Sequence, residues 1–138
     1  MTQINAYLTF NGDCREAMTF YKECLGGELT LQSVADSPMA DQWPAEAQKN
    51  ILHAALTKDT LSLFASDNLG SGLLANGNKV SLSLSCSSLE ETNTFFANLS
   101  DNGKIINRLH EFFAGMMGVI EDKYGFTWMF YYDHNQTN

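Results

Sequence analysis

Three histidines, three cysteines, two tryptophans and a run of alternating aromatics are the side chains of this 138-residue chain best suited to chemistry or ligand contact. His53 stands within Ile51–Thr57, where alternation puts Ile51, His53, Ala55 and Thr57 on one face of a strand and Leu52, Ala54 and Leu56 on the other. The face bearing His53 is the less apolar. An imidazole there suits a general base or a charge switch, since imidazole alone among unperturbed side chains titrates near neutrality. A hydrogen-bonded structural histidine is the competing reading. His110 and His134 have weaker claims, the latter because it falls in the polar tail 133–138. Phe126, Trp128, Phe130 and Tyr132 recur at every second position, which makes either a packed core face or a wall on which a planar or cationic ligand stacks. A cation over an indole is worth roughly 0.5–2 kcal/mol. Tyr7 is a further candidate for that wall. Trp43 sits in a long connection, either as part of a lid or as cover for a sheet edge, and Glu121 precedes a hairpin, where it either adds charge to a site or is a solvated acid. The candidate set is therefore His53 as catalytic group, with Tyr7, Trp43, His53, Glu121, Trp128 and Phe130 as ligand contacts.

The remaining chemistry-bearing residues and the charge balance narrow the class. Cys14 and Cys24 fall on one predicted helix about 15 Å apart, too far to bridge, and no CxxC pair occurs, so a disulfide framework is not expected. Eight Lys and Arg oppose sixteen Asp and Glu for a net charge of -8 and a pI near 4.6. A phosphate backbone or an anionic bilayer would be repelled by such a surface, so neither nucleic acid nor membrane is expected as a partner. No apolar run approaches the roughly 18 residues of a bilayer span, and Met1–Phe10 lacks the pattern of a secretory signal. A cytoplasmic protein is expected.

What must position the candidates is a repeat. Shifting the chain by 75 places aligns Asp13, Glu16, Thr19, Phe20 and Tyr21 with Ser88, Glu91, Thr94, Phe95 and Phe96. Asp13 with Glu16 and Ser88 with Glu91 each read as a capping box at a helix start. Cys14, Ala17, Met18, Tyr21 and Leu25 form the apolar stripe of the first helix, ended by Gly26-Gly27; Leu89, Phe96 and Leu99 form that of the second, ended by Asp101–Gly103. Strand patterns flank each helix: Ile4–Phe10, Glu28–Ala35, Ile51–Thr57 and Thr60–Ala65 in the first half, and Lys79–Cys86, Lys104–His110, Phe113–Glu121 and Phe126–Tyr132 in the second. Lys58-Asp59 and Asp122–Gly125 are the predicted hairpin turns. The expected architecture is α+β: one domain of two βαβββ modules in tandem, 1–66 and 79–132, with a Gly/Ser/Asn-rich linker 67–78 and a tail 133–138. One sheet face of each module lies under its helix, leaving the other to line something.

The runs Ala6-Tyr7-Leu8-Thr9-Phe10-Asn11-Gly12-Asp13-Cys14-Arg15-Glu16-Ala17, Phe20-Tyr21, Leu25-Gly26-Gly27, His53-Ala54-Ala55-Leu56 and Asp122-Lys123-Tyr124-Gly125-Phe126-Thr127-Trp128 resemble, in order, the PhnB-like branch of the vicinal oxygen chelate superfamily. That superfamily includes glyoxalase I, extradiol dioxygenases and bleomycin- and fosfomycin-resistance proteins. One departure is Phe113-Ala114 where the branch usually has Trp-Gly. The resemblance implies sheets curled into a cleft, completed in a homodimer. In metal-dependent members it implies a divalent cation held by a His near the start of each module's first strand and a carboxylate on a last strand. Here those positions hold Asn5, Ala6 and Tyr7, then Val80 and Ser81, then Trp128, and none is a good cation ligand. No metal ligand and no cofactor are therefore expected, a divalent cation remaining conceivable only through another set such as His53 with Glu121. The branch is often labelled a demethylubiquinone methyltransferase, yet no Gly-rich strand-to-helix loop that would cradle S-adenosylmethionine occurs in the sequence. The leading expectation is a small organic molecule bound in an aromatic cleft without metal, with sequestration of a planar cationic antibiotic as its sharper version. A His53-based or metal-dependent lyase, isomerase or transferase is the alternative, and an interaction module for another protein is the third.

Overall fold

A computed structural model of the chain, described for residues 2–69, 74–75, 77 and 79–135, divides into two compact units, Met1–Ala75 and Asn76–Asn138. The first contains β1 (Ala6–Phe10), α1 (Cys14–Leu25), β2 (Glu28–Ser33), 3-10 turns at Ala40–Gln42 and Ala45–Ala47, β3 (Ile51–Lys58) and β4 (Leu61–Asp67). The second contains β5 (Leu82–Ser85), α2 (Leu89–Leu99), β6 (Lys104–Phe112), β7 (Gly115–Glu121) and β8 (Thr127–Asp133). Each unit is thus βαβββ, as the repeat predicts. The sheets run β1-β4-β3-β2 and β5-β8-β7-β6, with the first strand of each parallel to the last and the other pairings antiparallel.

Each helix covers one face of its own sheet. In the first unit Phe10 meets Tyr21 of α1 at 6.4 Å, and the residues sharing its face, Leu8, Leu63, Ala65, Ala54 and Leu56, are all buried with Ala17 and Met18. In the second, Phe130 meets Phe96 of α2 edge-on at 5.3 Å, with Ile120 and Trp128 buried on the same side. The opposite face of each sheet carries no helix of its own unit.

The helix starts differ. Ser88 caps α2 as expected: its Oγ accepts from the Glu91 N–H (3.0 Å) and Glu91 Oε1 accepts from the Ser87 N–H (2.9 Å). Asp13 makes no side-chain cap, which corrects the first capping box; its Oδ1 instead takes the Asn11 N–H at 3.3 Å. The buried carboxylate of Asp67 serves instead, its Oδ1 accepting from the N–H groups of Gly12 (3.0 Å) and Cys14 (2.9 Å). At the other end of α1, Gly27 has φ +97°, and a Cβ there would stand 2.6 Å from the Thr57 carbonyl oxygen, so only glycine fits.

Several boundaries move. The β3–β4 turn is Asp59-Thr60, one residue later than predicted, with Asp59 in the left-handed region at φ +51°. β6 extends to Phe112 and β7 begins at Gly115, so Phe113 leaves the predicted strand and becomes the first turn residue, at φ +53° and 89% exposed. β5 keeps only Leu82–Ser85 because its register with β8 ends there, and Val80 is exposed. β4 runs on to Asp67, past the expected module end, and β8 includes Asp133 from the expected tail. Of the predicted linker and tail, residues 70–73, 76, 78 and 136–138 lie outside the described residues. Cys14, Cys24 and Cys86 are buried free thiols. Among the described residues no helix is long and apolar enough to cross a membrane.

Candidate functional site

The helix-free face of the first unit gathers two of the predicted residues and adds others. Register lays Thr30, Ala55, Phe64 and Tyr7 side by side across β2, β3, β4 and β1, with His53 beside Gln32 in the next row. The His53 ring stacks on Phe64, with centroids 5.9 Å apart and planes 28° from parallel, and lies 6.3 Å from the tilted Tyr7 ring. His53 is exposed, Tyr7 is 53% exposed and Phe64 half-buried, so the three rings form an open aromatic platform. Thr30, Thr57 and Gln32 supply hydroxyl and amide groups around it. Alternation places His53, Ala55 and Thr57 as predicted, whereas Ile51 is buried beside the irregularity at Gln32/Ser33.

Phe64 and Asp67 were missed by sequence reasoning. The signal for Phe64 was an aromatic at a polar phase of the run Leu61-Ser62-Leu63-Phe64-Ala65-Ser66, readable only once β4 is known to lie between β1 and β3. Asp67 frames the platform: besides the α1 start, its Oδ2 accepts the Ile51 N–H at 2.8 Å, so one carboxylate ties the exit of β1 and the entry of β3, two residues before His53. Burial, reinforced by the negative charges of Asp67 and Asp13, pushes the neighbouring Cys14 thiol up to about 12.

The other predicted contacts lie on other elements. The aromatic wall faces α2: Trp128 is 2% exposed, its indole N–H donating to Asp122 Oδ2 at 2.8 Å, and Phe130 is fully buried against Phe96. Packing under a helix decides the matter, since the phase of alternation that carries Trp128 and Phe130 is the phase that α2 covers. These two residues are core of the second unit and present no ligand surface there. Glu121 is exposed beside an open groove of about 430 Å³ lined by Asn102, Lys104, Lys123 and Tyr124, also in the second unit. Trp43 is half-buried in the 36–50 connection, which Gln48 braces by donating to the carbonyls of Ala40, Trp43 and Pro44; its indole N–H is buried without a partner among the described residues. His110 Nδ1 lies 2.7 Å from the Arg108 carbonyl oxygen, and His134 is held at 3.2 Å from Glu111 in an exposed pair.

These side chains do not fit a divalent cation. The position expected to supply a carboxylate is the buried Trp128, His53 has ring neighbours, and no three His, Cys, Asp or Glu groups converge among the described residues. Nor does the strand-to-helix turn at Gly12 fit the anionic end of S-adenosylmethionine, because the Gly12 and Cys14 N–H groups already donate to the carboxylate of Asp67.

Residues 2–131 match the 3-demethylubiquinone-9 3-methyltransferase family. Protein YjdN of Escherichia coli K12 is 32% identical over 139 residues, spanning 91% of this chain and 92% of its own. The crystal structure of protein PA1353 from Pseudomonas aeruginosa is 33% identical with a TM-score of 0.86, covering 96% of this chain and 98% of that one. A PhnB protein from Bacillus cereus that bears the methyltransferase name aligns over 95% of this chain and 99% of its own at 24% identity and TM-score 0.76, a likeness of fold. Glyoxalase/bleomycin resistance/dioxygenase structures from Frankia and Burkholderia phytofirmans share that fold at 14% and 13% identity, with TM-scores of 0.69 and 0.62.

Proposed function

The chain belongs to the PhnB-like 3-demethylubiquinone-9 3-methyltransferase family, of glyoxalase/bleomycin resistance/dioxygenase fold, and from that premise we propose that it binds a small, flat organic molecule on the first unit's Tyr7–His53–Phe64 platform. The observation that carries this is the His53 ring, exposed between Tyr7 at 6.3 Å and the half-buried Phe64 at 5.9 Å, on a face that no helix of the unit covers. A flat ring laid on them gains offset or edge contacts worth about 0.5–1.5 kcal/mol per ring beyond the area buried. His53 meets the polar edge of the ligand, as hydrogen-bond partner and as the candidate for any proton transfer. Methyl transfer needs S-adenosylmethionine, whose anionic end does not fit the turn at Gly12 that Asp67 fills, so the platform is a binding surface without a site for a methyl donor at that turn.

The test is titration with quinoline, N-methylquinolinium and quinaldate, read by calorimetry and by the His53 ring C–H signals in proton NMR. At least one probe is expected to shift those signals, and Tyr7→Ala and His53→Ala should each weaken it about tenfold, the equivalent of about 1.4 kcal/mol. Tightest binding of N-methylquinolinium would select the cation-sequestering version. Failure of all three probes to perturb His53 at millimolar concentration overturns the reading.

A further inference from the structure

Resting on that reading, we propose that Ala55 sets the depth of the platform and thereby selects flat hydrogen-bonding rings over bulkier or saturated molecules. Ala55 is the smallest side chain on the helix-free face, placed between its register partners Thr30 and Phe64 and between His53 and Thr57 along its own strand. The four surrounding positions carry a phenyl ring, an imidazole and two hydroxyl-bearing side chains. One methyl among them leaves a recess whose floor is Ala55 and whose raised side is the stacked His53–Phe64 pair. A ring that stands in the recess meets the ring pair along one side and the hydroxyls of Thr30 and Thr57 on the others. That arrangement suits the two chemistries of a flat heteroaromatic or quinoid ring, an apolar face and a hydrogen-bonding rim. Charge plays a small part here, since besides His53 and Tyr7 the ionisable group that alternation and register add to this face is Glu28, beside Thr57 at the far end of β2. Filling the recess costs the fold little, because Ala55 lies on the side of β3 opposite the buried Ala54 and Leu56.

The experiment is calorimetric titration of Ala55→Leu, Ala55→Val and Ala55→Gly proteins with whichever quinoline probe the parent binds, with thermal unfolding as the control for folding. Ala55→Leu should weaken the probe at least tenfold and Ala55→Val several-fold, while Ala55→Gly stays within about threefold, a graded response to side-chain volume that a general loss of structure would not give. Should Ala55→Leu fail to fold, Ala55→Val carries the comparison. Parent-like affinity in both enlarged variants, with His53→Ala still defective, overturns the recess and leaves the platform standing. Parent-like affinity in the enlarged variants and in His53→Ala, or a parent that binds no probe, overturns the platform and the recess together.

Discussion

In the first unit Thr30, Ala55, Phe64 and Tyr7 cross the helix-free face in one row, whereas the same strands of the second unit carry Asn107, Val119, Met129 and Ser83, and beside them His110, Met117, Tyr131 and Ser85. One face offers stacked rings with a histidine among them; the other offers methionine and valine across its middle strands, with Tyr131 and His110 in the neighbouring row and serine along β5. The helix-facing sides are alike in kind, Leu8, Ala54, Leu56 and Ala65 in one unit and Ile120, Trp128 and Phe130 in the other, all buried. A helix that must be packed constrains the side chains beneath it to be apolar and well fitted, while the opposite face is free of that demand and its chemistry can differ. The repeat is therefore one of fold, while the side chains on the two helix-free faces differ, and the stacked Tyr7, His53 and Phe64 rings belong to the first unit. Helix starts differ in the same way: α1 is held by a buried carboxylate from the end of β4, and α2 by a local box of Ser88 and Glu91.

Removing the long-range tie tests that contrast most severely. Asp67→Ala leaves the N–H groups of Gly12, Cys14 and Ile51 without their acceptor, the latter two in a buried setting, and a buried donor left unsatisfied costs about 1–3 kcal/mol. The expected loss is about 3–5 kcal/mol, read as a lower urea midpoint, with the His53 ring signals displaced because β3 loses its anchored start. A loss below about 1 kcal/mol would mean that the two helix starts are energetically alike.

Alkaline titration sharpens the comparison through the thiols at the two sites. Cys14 in the folded protein holds its proton up to about 12 against an ordinary value of 9.0, and burial raises Cys86 as well. The charged form is disfavoured in the fold, so the stability from this group is fully present below pH 9 and is lost as pH rises from there towards 12, at up to about 1.4 kcal/mol per pH unit. Denaturation midpoints measured from pH 8 to 10.5 should fall, and Cys14→Ala should remove a part of the slope. A slope unchanged in Cys14→Ala would assign the alkaline loss to other groups.

How much of this was legible in the sequence follows from the range of the interactions concerned. The tandem βαβββ order, the glycine end of α1 and the Ser88 box were readable because each rests on neighbours a few residues apart. The side of β3 that carries His53 and Ala55 was readable too, since period-2 alternation is local. The orientation of the Phe126–Tyr132 aromatics was not, because alternation separates two faces without saying which one a helix will cover; that depends on where Phe96 of α2 comes to rest. Asp67 was invisible for the same reason, its partners Gly12 and Cys14 lying 55 and 53 residues away. Phe64 joins the platform through pairings of β4 with both β1 and β3, and no window of sequence contains all three strands.

The smallest expected effect is a pair of substitutions at equivalent places in the repeat. Ser88→Ala removes the acceptor for the Glu91 N–H and should cost about 1 kcal/mol, the usual worth of a serine N-cap. Asp13→Ala removes a single 3.3 Å contact to the Asn11 N–H on the exposed side of its turn, while Asp67 continues to hold Gly12 and Cys14, so its cost should stay within about 0.5 kcal/mol. The double variant Asp13→Ala, Asp67→Ala separates the roles further: were Asp13 a latent cap able to take over the freed N–H groups, it would be more destabilised than the sum of the single changes. Additivity within about 0.5 kcal/mol is the expected result, because the Asp13 backbone, at φ -112° and ψ 22°, departs from the extended conformation that lets an N-cap side chain turn back onto its helix.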